Sequence, residues 1–175
     1  MKKQLLISIL LFGGILSNYA QGLYNIATLD DELDDYPSTW FIDISYGVPS
    51  GDTSDFHSSA YGVDLGYFSG INNSSFYVGA EVGYLRFTGK DTDFGFETDG
   101  VGFIPVKGKF GYNFLESFGL EGGAGYAFSA DDGDGDAIYE VGINWYPIEK
   151  LTFSIMYSSV GGDFDEFAIG IRRTF

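Results

Sequence analysis

Asp55, His57 and Ser59 stand at i, i+2 and i+4, and His57 is the sole histidine of the chain. In an extended segment that spacing projects all three side chains to one side. A base beside a hydroxyl is the minimum equipment for nucleophilic catalysis. Alternate residues of a strand lie ~6.6 Å apart at Cα, however, so spacing alone does not supply a hydrogen bond between them. A second candidate is DDGDGD, Asp131 to Asp136, in which Asp132, Asp134 and Asp136 are spaced like the first ligands of a calcium-binding EF-hand loop. Ala137 stands where that loop needs glycine and Ile143 where it needs a bidentate glutamate. The motif is therefore not an EF-hand and reads as a solvated acidic turn tip, with no metal site assigned.

The third set is the largest: Asp43, Asp64, Glu81, Glu121, Glu140 and Glu166, together with Lys107, Lys109 and Arg172. Each falls on the sparse polar side of an otherwise apolar alternation. What these charges can do depends on the elements that carry them. From about Ser38 the chain resolves into eight segments of 9 to 12 residues with period two: WFIDISYGV, AYGVDLGYFS, FYVGAEVGYLRF, FIPVKGKFGYNF, FGLEGGAGYAF, AIYEVGINWY, LTFSIMYSSV and EFAIGIRRTF. One face carries large apolar residues, as in Trp40, Ile42, Ile44, Tyr46 and Val48. The other carries mostly Gly, Ala and Ser with an occasional charge. A soluble β-sandwich would place long polar side chains on its wet face. Small and polar residues on a concave side, with large apolar ones on the convex side, suit a narrow closed barrel in lipid. Segment length agrees with the ~9–11 residues of a tilted transmembrane strand. An even count of strands also allows antiparallel closure without a free edge.

Composition agrees. The 175 residues contain 26 Gly, 13 Tyr, 17 Phe and no Cys, so an exported chain would hold together without disulfides. Residues 1–20 have the layout of a secretory signal peptide: Lys2 and Lys3, an apolar run from Leu5 to Leu16, and Ala20 before a cleavage point at Gln21. The run is shorter than the ~20 residues of a helical span. Its removal takes away Lys2 and Lys3 and leaves 7 Lys+Arg against 25 Asp+Glu, a net charge of −18. No basic cluster is present to neutralise phosphates, so nucleic acid is not an expected partner. Residues 21–37, with LDDELDD, read as an acidic periplasmic segment. Residues 38–175 form the barrel.

The links around 70–75, 115–117 and 147–150 are short, whereas those around 49–59, 88–102, 129–136 and 161–165 are longer or richer in Gly and Asp. Short turns face the periplasm and longer loops the exterior in such barrels. Trp40, Tyr112, Phe114, Trp145 and Phe175 are expected at one lipid interface, and Tyr46, Tyr61, Tyr84 and Phe128 at the other. Pro105 lacks a ladder donor and is expected near the outer rim or at a bulge. Arg86 has lipid-facing parity and is expected among headgroups at the outer end of its strand.

The pattern of residues 38–175 resembles the small eight-stranded outer-membrane proteins of the OmpA/OmpX type, most tellingly in IPVKGKFGYNF, the tight turn, FGLEGGAGYAF and the terminal strand. The resemblance implies a bacterial outer-membrane protein, usually not an enzyme. It also implies that Gly170 and the final Phe175 form a signal read by the barrel-assembly machinery, although Arg173 stands where an aromatic is usual. Some barrels of this kind deacylate lipid A with a His-x-Ser pair facing lipid. That pair lies later in the chain, whereas His57 and Ser59 fall in the first loop, on its lipid side by extended parity. The expectation is an all-β, eight-stranded antiparallel up-and-down transmembrane β-barrel. It would be monomeric, without cofactor or catalytic residues, and would sit among outer-membrane lipids and lipopolysaccharide. Its expected role is structural, in envelope integrity or in surface interaction and adhesion through acidic outer loops. The nine lumenal charges are expected to form a paired plug, since eight strands enclose only room for side chains. A narrow channel for small or hydrophobic solutes is the alternative, and a lipid A-modifying enzyme ranks below it.

Overall fold

Period-two alternation becomes eight antiparallel strands in the computed structural model, which describes residues 38–71, 74–91, 98–131 and 133–175. The signal peptide and the acidic segment of residues 1–37 lie outside the described residues. The strands are β1 (Thr39–Ser50), β2 (His57–Gly70), β3 (Phe76–Gly89), β4 (Val101–Leu115), β5 (Phe118–Ser129), β6 (Asp136–Ile148), β7 (Leu151–Val160) and β8 (Phe164–Thr174). A single helical turn, α1 (Thr53–Phe56), joins β1 to β2. Each strand pairs with its neighbour in sequence, and β1 pairs with β8 to close the barrel. The ladder runs to the last residue: Phe175 N donates to Trp40 O at 3.0 Å, and Thr39 Oγ1 donates to Phe175 O at 2.8 Å. Closure thus satisfies the backbone groups of what would otherwise be two open edges.

The convex face is apolar. Ile44, Ile155 and Ile169 are all more than 60 % exposed, and the same face carries Val48, Val63, Leu65, Val141 and Ile171. A continuous apolar band of this kind is a surface for lipid rather than water. Aromatic contacts gather towards its two ends. Trp40–Tyr67, Phe76–Tyr112 and Trp145–Phe153 lie at the rim of the short turns, and Tyr126–Phe128 and Tyr157–Phe167 at the other.

Register explains the glycine content on the concave face. Phe41 lies opposite Gly66, Phe68 opposite Gly79 and Tyr77 opposite Gly111. In each pair the aromatic ring occupies the space that a Cβ on the facing glycine would fill. A narrow barrel holds large side chains only where the next strand offers none. Gly111→Ala is therefore expected to cost about 1–3 kcal/mol by overpacking against Tyr77. Gly108→Ala, whose Cβ would come no nearer than 3.9 Å to another residue, should stay within about 0.5 kcal/mol. Urea midpoints of the two variants folded in lipid vesicles check the contrast.

The structure departs from the sequence expectation in three respects. Pro105 is fully buried and faces the lumen within β4, not at the rim. The β3–β4 ladder lapses between Val82–Val106 and Leu85–Phe103 but resumes in the same register, so Pro105 removes a donor without creating a bulge. The second departure is a bulge between His57 and Ser59, which turns His57 inward, 8 % exposed and with its ring tilted against those of Phe87 and Phe164. Asp55 belongs to α1, so Asp55, His57 and Ser59 do not share a lipid-facing side. Third, the strands are 10 to 15 residues long because pairing continues beyond the alternating stretches. Arg86 stands towards the end of β3 that carries the longer links, where its Nη1 donates to Asp131 Oδ2 at 3.2 Å.

Candidate functional site: an ion-paired lumen

All nine lumenal charges turn inward, and the barrel brings eight of them into one ion-paired network. Lys107 Nζ lies 2.5 Å from both Glu81 Oε1 and Glu140 Oε2, and 4.0 Å from Asp64 Oδ1. Lys109 Nζ reaches Glu121 at 3.0 Å and Glu81 at 3.3 Å, and also pairs with Glu140. The two lysines stand at i and i+2 of β4, so one strand aims both into the same space. Arg172 donates twice to Glu121, from Nη1 and Nη2 at 2.8 Å each, and from Nε to Asp43 at 3.0 Å. This fork geometry is the strong form of a carboxylate contact. Glu121 also accepts from Tyr77 Oη at 2.7 Å and Asn144 Nδ2 at 3.1 Å. The ninth charge, Glu166, is 3 % exposed and has no ion-pair partner among the described residues.

Two apolar layers flank this network, where the sequence expectation has mostly small and polar residues on the concave face. On the side of the short turns, Phe41 stacks on Phe68 at 4.4 Å between centroids, and Phe68 meets Tyr77 edge-on at 5.0 Å. The Arg172 guanidinium lies 4.6 Å from the Phe41 centroid and 4.9 Å from that of Phe68. On the opposite side Ala60, Leu85, Phe87, Phe103, Ala127, Ile138 and Val160 form a buried cluster, with Phe164 packed against it. The signal for these layers was present, since Phe41, Phe87 and Phe103 share the parity of the lumenal charges. The polar centre of the lumen thus lies between two buried apolar layers.

Gly170 and Phe175 occupy different settings. Gly170 faces the lumen, and a Cβ there would crowd Ser154 Oγ and come to 3.1 Å from Asp43 Oδ1. Phe175 points outward and is 63 % exposed beside the β1–β8 seam. Among the acidic positions of 131–136, Asp131 is committed to Arg86 and to Gly102 N, and Asp136 Oδ1 accepts from Ala137 N. Asp132 lies outside the described residues.

No protein-family model and no curated protein matches the sequence. Solved structures do match in shape. A de novo designed transmembrane β-barrel superposes with a TM-score of 0.56 at 16 % identity, over 84 % of this chain and 100 % of that one. The outer membrane protein Ail of Yersinia pestis, in a phospholipid bilayer nanodisc, gives 0.55 at 17 % identity over 79 % and 100 %. This is the fold of the small eight-stranded outer-membrane β-barrels. A further structure of Ail, the attachment invasion locus protein, in complex with the heparin analogue sucrose octasulfate, gives 0.55 at 16 % identity over 79 % and 97 %.

Proposed function

We propose that this chain is a non-conducting outer-membrane scaffold that displays acidic links at the cell surface. The observation that carries the reading is the ion-paired centre of the lumen, held between two apolar layers. A barrel without a path through it acts through its rims. Those rims differ in charge. The links 51–56, 90–100, 130–135 and 161–163 hold ten Asp or Glu against one Lys, whereas 71–75, 116–117 and 149–150 hold two acids and one Lys. The acidic end is the outer one in this reading, and the partner it suits is cationic. Ail was solved with a polyanion, sucrose octasulfate. The charge of the present links is opposite to what such a ligand needs, so that ligand class is not carried over.

In this account the chain works as a monomer among outer-membrane lipids and lipopolysaccharide, without enzymatic activity. Divalent cations can bridge link carboxylates to lipopolysaccharide phosphates, and the assembly machinery reads Gly170 and Phe175. The experiment compares cells making the full chain with cells making a barrel whose four acidic links are cut to two-residue turns. Fluorescent polylysine should bind the former more strongly at equal amounts of inserted barrel. Equal binding by both would contradict the display reading.

A further inference from the structure

Seven basic side chains lie among the described residues, and five of them have a partner in the fold. Lys107, Lys109 and Arg172 pair with lumenal carboxylates. Arg86 pairs with Asp131, and Lys90 Nζ donates to Ser54 O at 3.1 Å. The side chains of Lys150 and Arg173 are exposed and make no hydrogen bond or ion pair with any described residue. Both stand at one place on the rim of the short turns. Arg173 lies opposite Leu151 of β7 and Ile42 of β1, and Thr174 N donates to Lys150 O at 3.1 Å. The local backbone asks for neither residue. Lys150 holds φ 68° in the turn between Ile148 and Leu151, a conformation that favours glycine or asparagine. Arg173 continues the lipid-facing row of Phe167, Ile169 and Ile171, where an apolar side chain is the rule.

A long basic side chain in such a row turns its charge away from hydrocarbon towards the headgroups. Trp40 and Phe175, exposed and paired across the β1–β8 seam, mark that level. The anion met there is a lipid phosphate. A guanidinium presents two parallel N–H groups to phosphate oxygens, and an ammonium adds a compact charge beside it. We propose that Lys150 and Arg173 bind the phosphate of one anionic glycerophospholipid, whose acyl chains lie along Ile42, Leu151 and Ile171. The bound lipid fixes the depth at which β7, β8 and β1 sit in the bilayer. The opposite rim, with ten acids in its links, repels such a headgroup. The proposed function enters only in naming the leaflet, which in that reading is the periplasmic one.

Trp40 reports on this site once Trp145→Phe removes the other tryptophan of the mature chain. That chain is folded into phosphatidylcholine vesicles containing a minor share of phosphatidylglycerol. One lipid at a time carries brominated acyl chains, which quench a neighbouring tryptophan. Both leaflets have the same composition, so the result does not depend on which way the barrel faces. Failure here therefore leaves the display reading to its own test. Phosphatidylglycerol should be enriched beside Trp40 by roughly three- to fivefold over its bulk share. Lys150→Gln combined with Arg173→Gln should bring the ratio to one, and Arg86→Gln should leave it unchanged. A ratio of one in the parent would overturn the proposal, as would a preference that survives the double substitution. A preference that appears only after Asp30, Asp31, Glu32, Asp34 and Asp35 are changed to Asn or Gln would assign the two cations to that acidic segment, and would also overturn it. Native mass spectra of the unsubstituted chain released from the same vesicles give a second readout. One retained phosphatidylglycerol supports the site, and none overturns it.

Discussion

Arg172→Met should lower the unfolding free energy of the barrel by about 3–5 kcal/mol, the usual cost of leaving buried charges without their partner. The substitution keeps most of the apolar volume of the side chain, so packing is not the main loss. Asp43 loses its one ion-pair contact, and Glu121 loses a bidentate pair while keeping Lys109. Removal of the guanidinium from beside the stacked Phe41 and Phe68 rings adds roughly 0.5–2 kcal/mol. Arg172→Lys should recover only part of this, because an ammonium cannot present a planar fork to Glu121 while also reaching Asp43. Adding Glu121→Gln and Asp43→Asn to Arg172→Met should recover at least half of the loss, since no uncompensated charge then remains at that end. Urea titration of folding into lipid vesicles reads all three. A loss below about 1 kcal/mol for Arg172→Met would show that the network does not hold the barrel together.

Phe87→Ala is the second large effect. The ring is fully buried and sits 5.4 Å from Phe164, 5.7 Å from His57 and 6.3 Å from Phe103 between centroids. Truncation leaves a cavity in the middle of the apolar layer, and Phe→Ala in a packed interior costs about 3–5 kcal/mol. Phe87→Leu should lose less, about 1–1.5 kcal/mol. Because the ionic centre lies beneath this layer, the Ala variant should destabilise the barrel without making it conduct. An unfolding free energy within about 1 kcal/mol of the parent would mean that the layer is loosely packed and does not seal.

Much of this architecture was legible because a barrel in lipid imposes alternation on every strand. Trp40 to Val48 and Phe167 to Ile171 each declare two faces, and the parity of the nine charges follows from their apolar neighbours. The lipid-facing parity of Arg86 was legible for the same reason. The bulge beside His57 was not, because His57-Ser58-Ser59 contains neither Gly nor Pro to mark it. A one-residue insertion reverses the side on which His57 falls. Pro105 misled in the opposite sense. A missing donor costs one ladder bond, and the bonds on either side hold the register. The pairing of Phe41 with Gly66 and of Tyr77 with Gly111 depends on how far neighbouring strands are staggered, which alternation within one strand does not specify. Strand ends beyond the lipid were hidden too, because residues such as Thr88 and Gly89 pair without any demand for an apolar face.

A shut lumen is tested most directly by single-channel recording of the refolded mature chain in planar bilayers, with insertion verified by the heat-dependent shift of the same sample on gels. The expected baseline is indistinguishable from that of a protein-free bilayer, for the parent and for Phe87→Ala alike. Steady, reproducible conductance steps from the parent barrel would contradict it and would make the lumenal charges the lining of a pore.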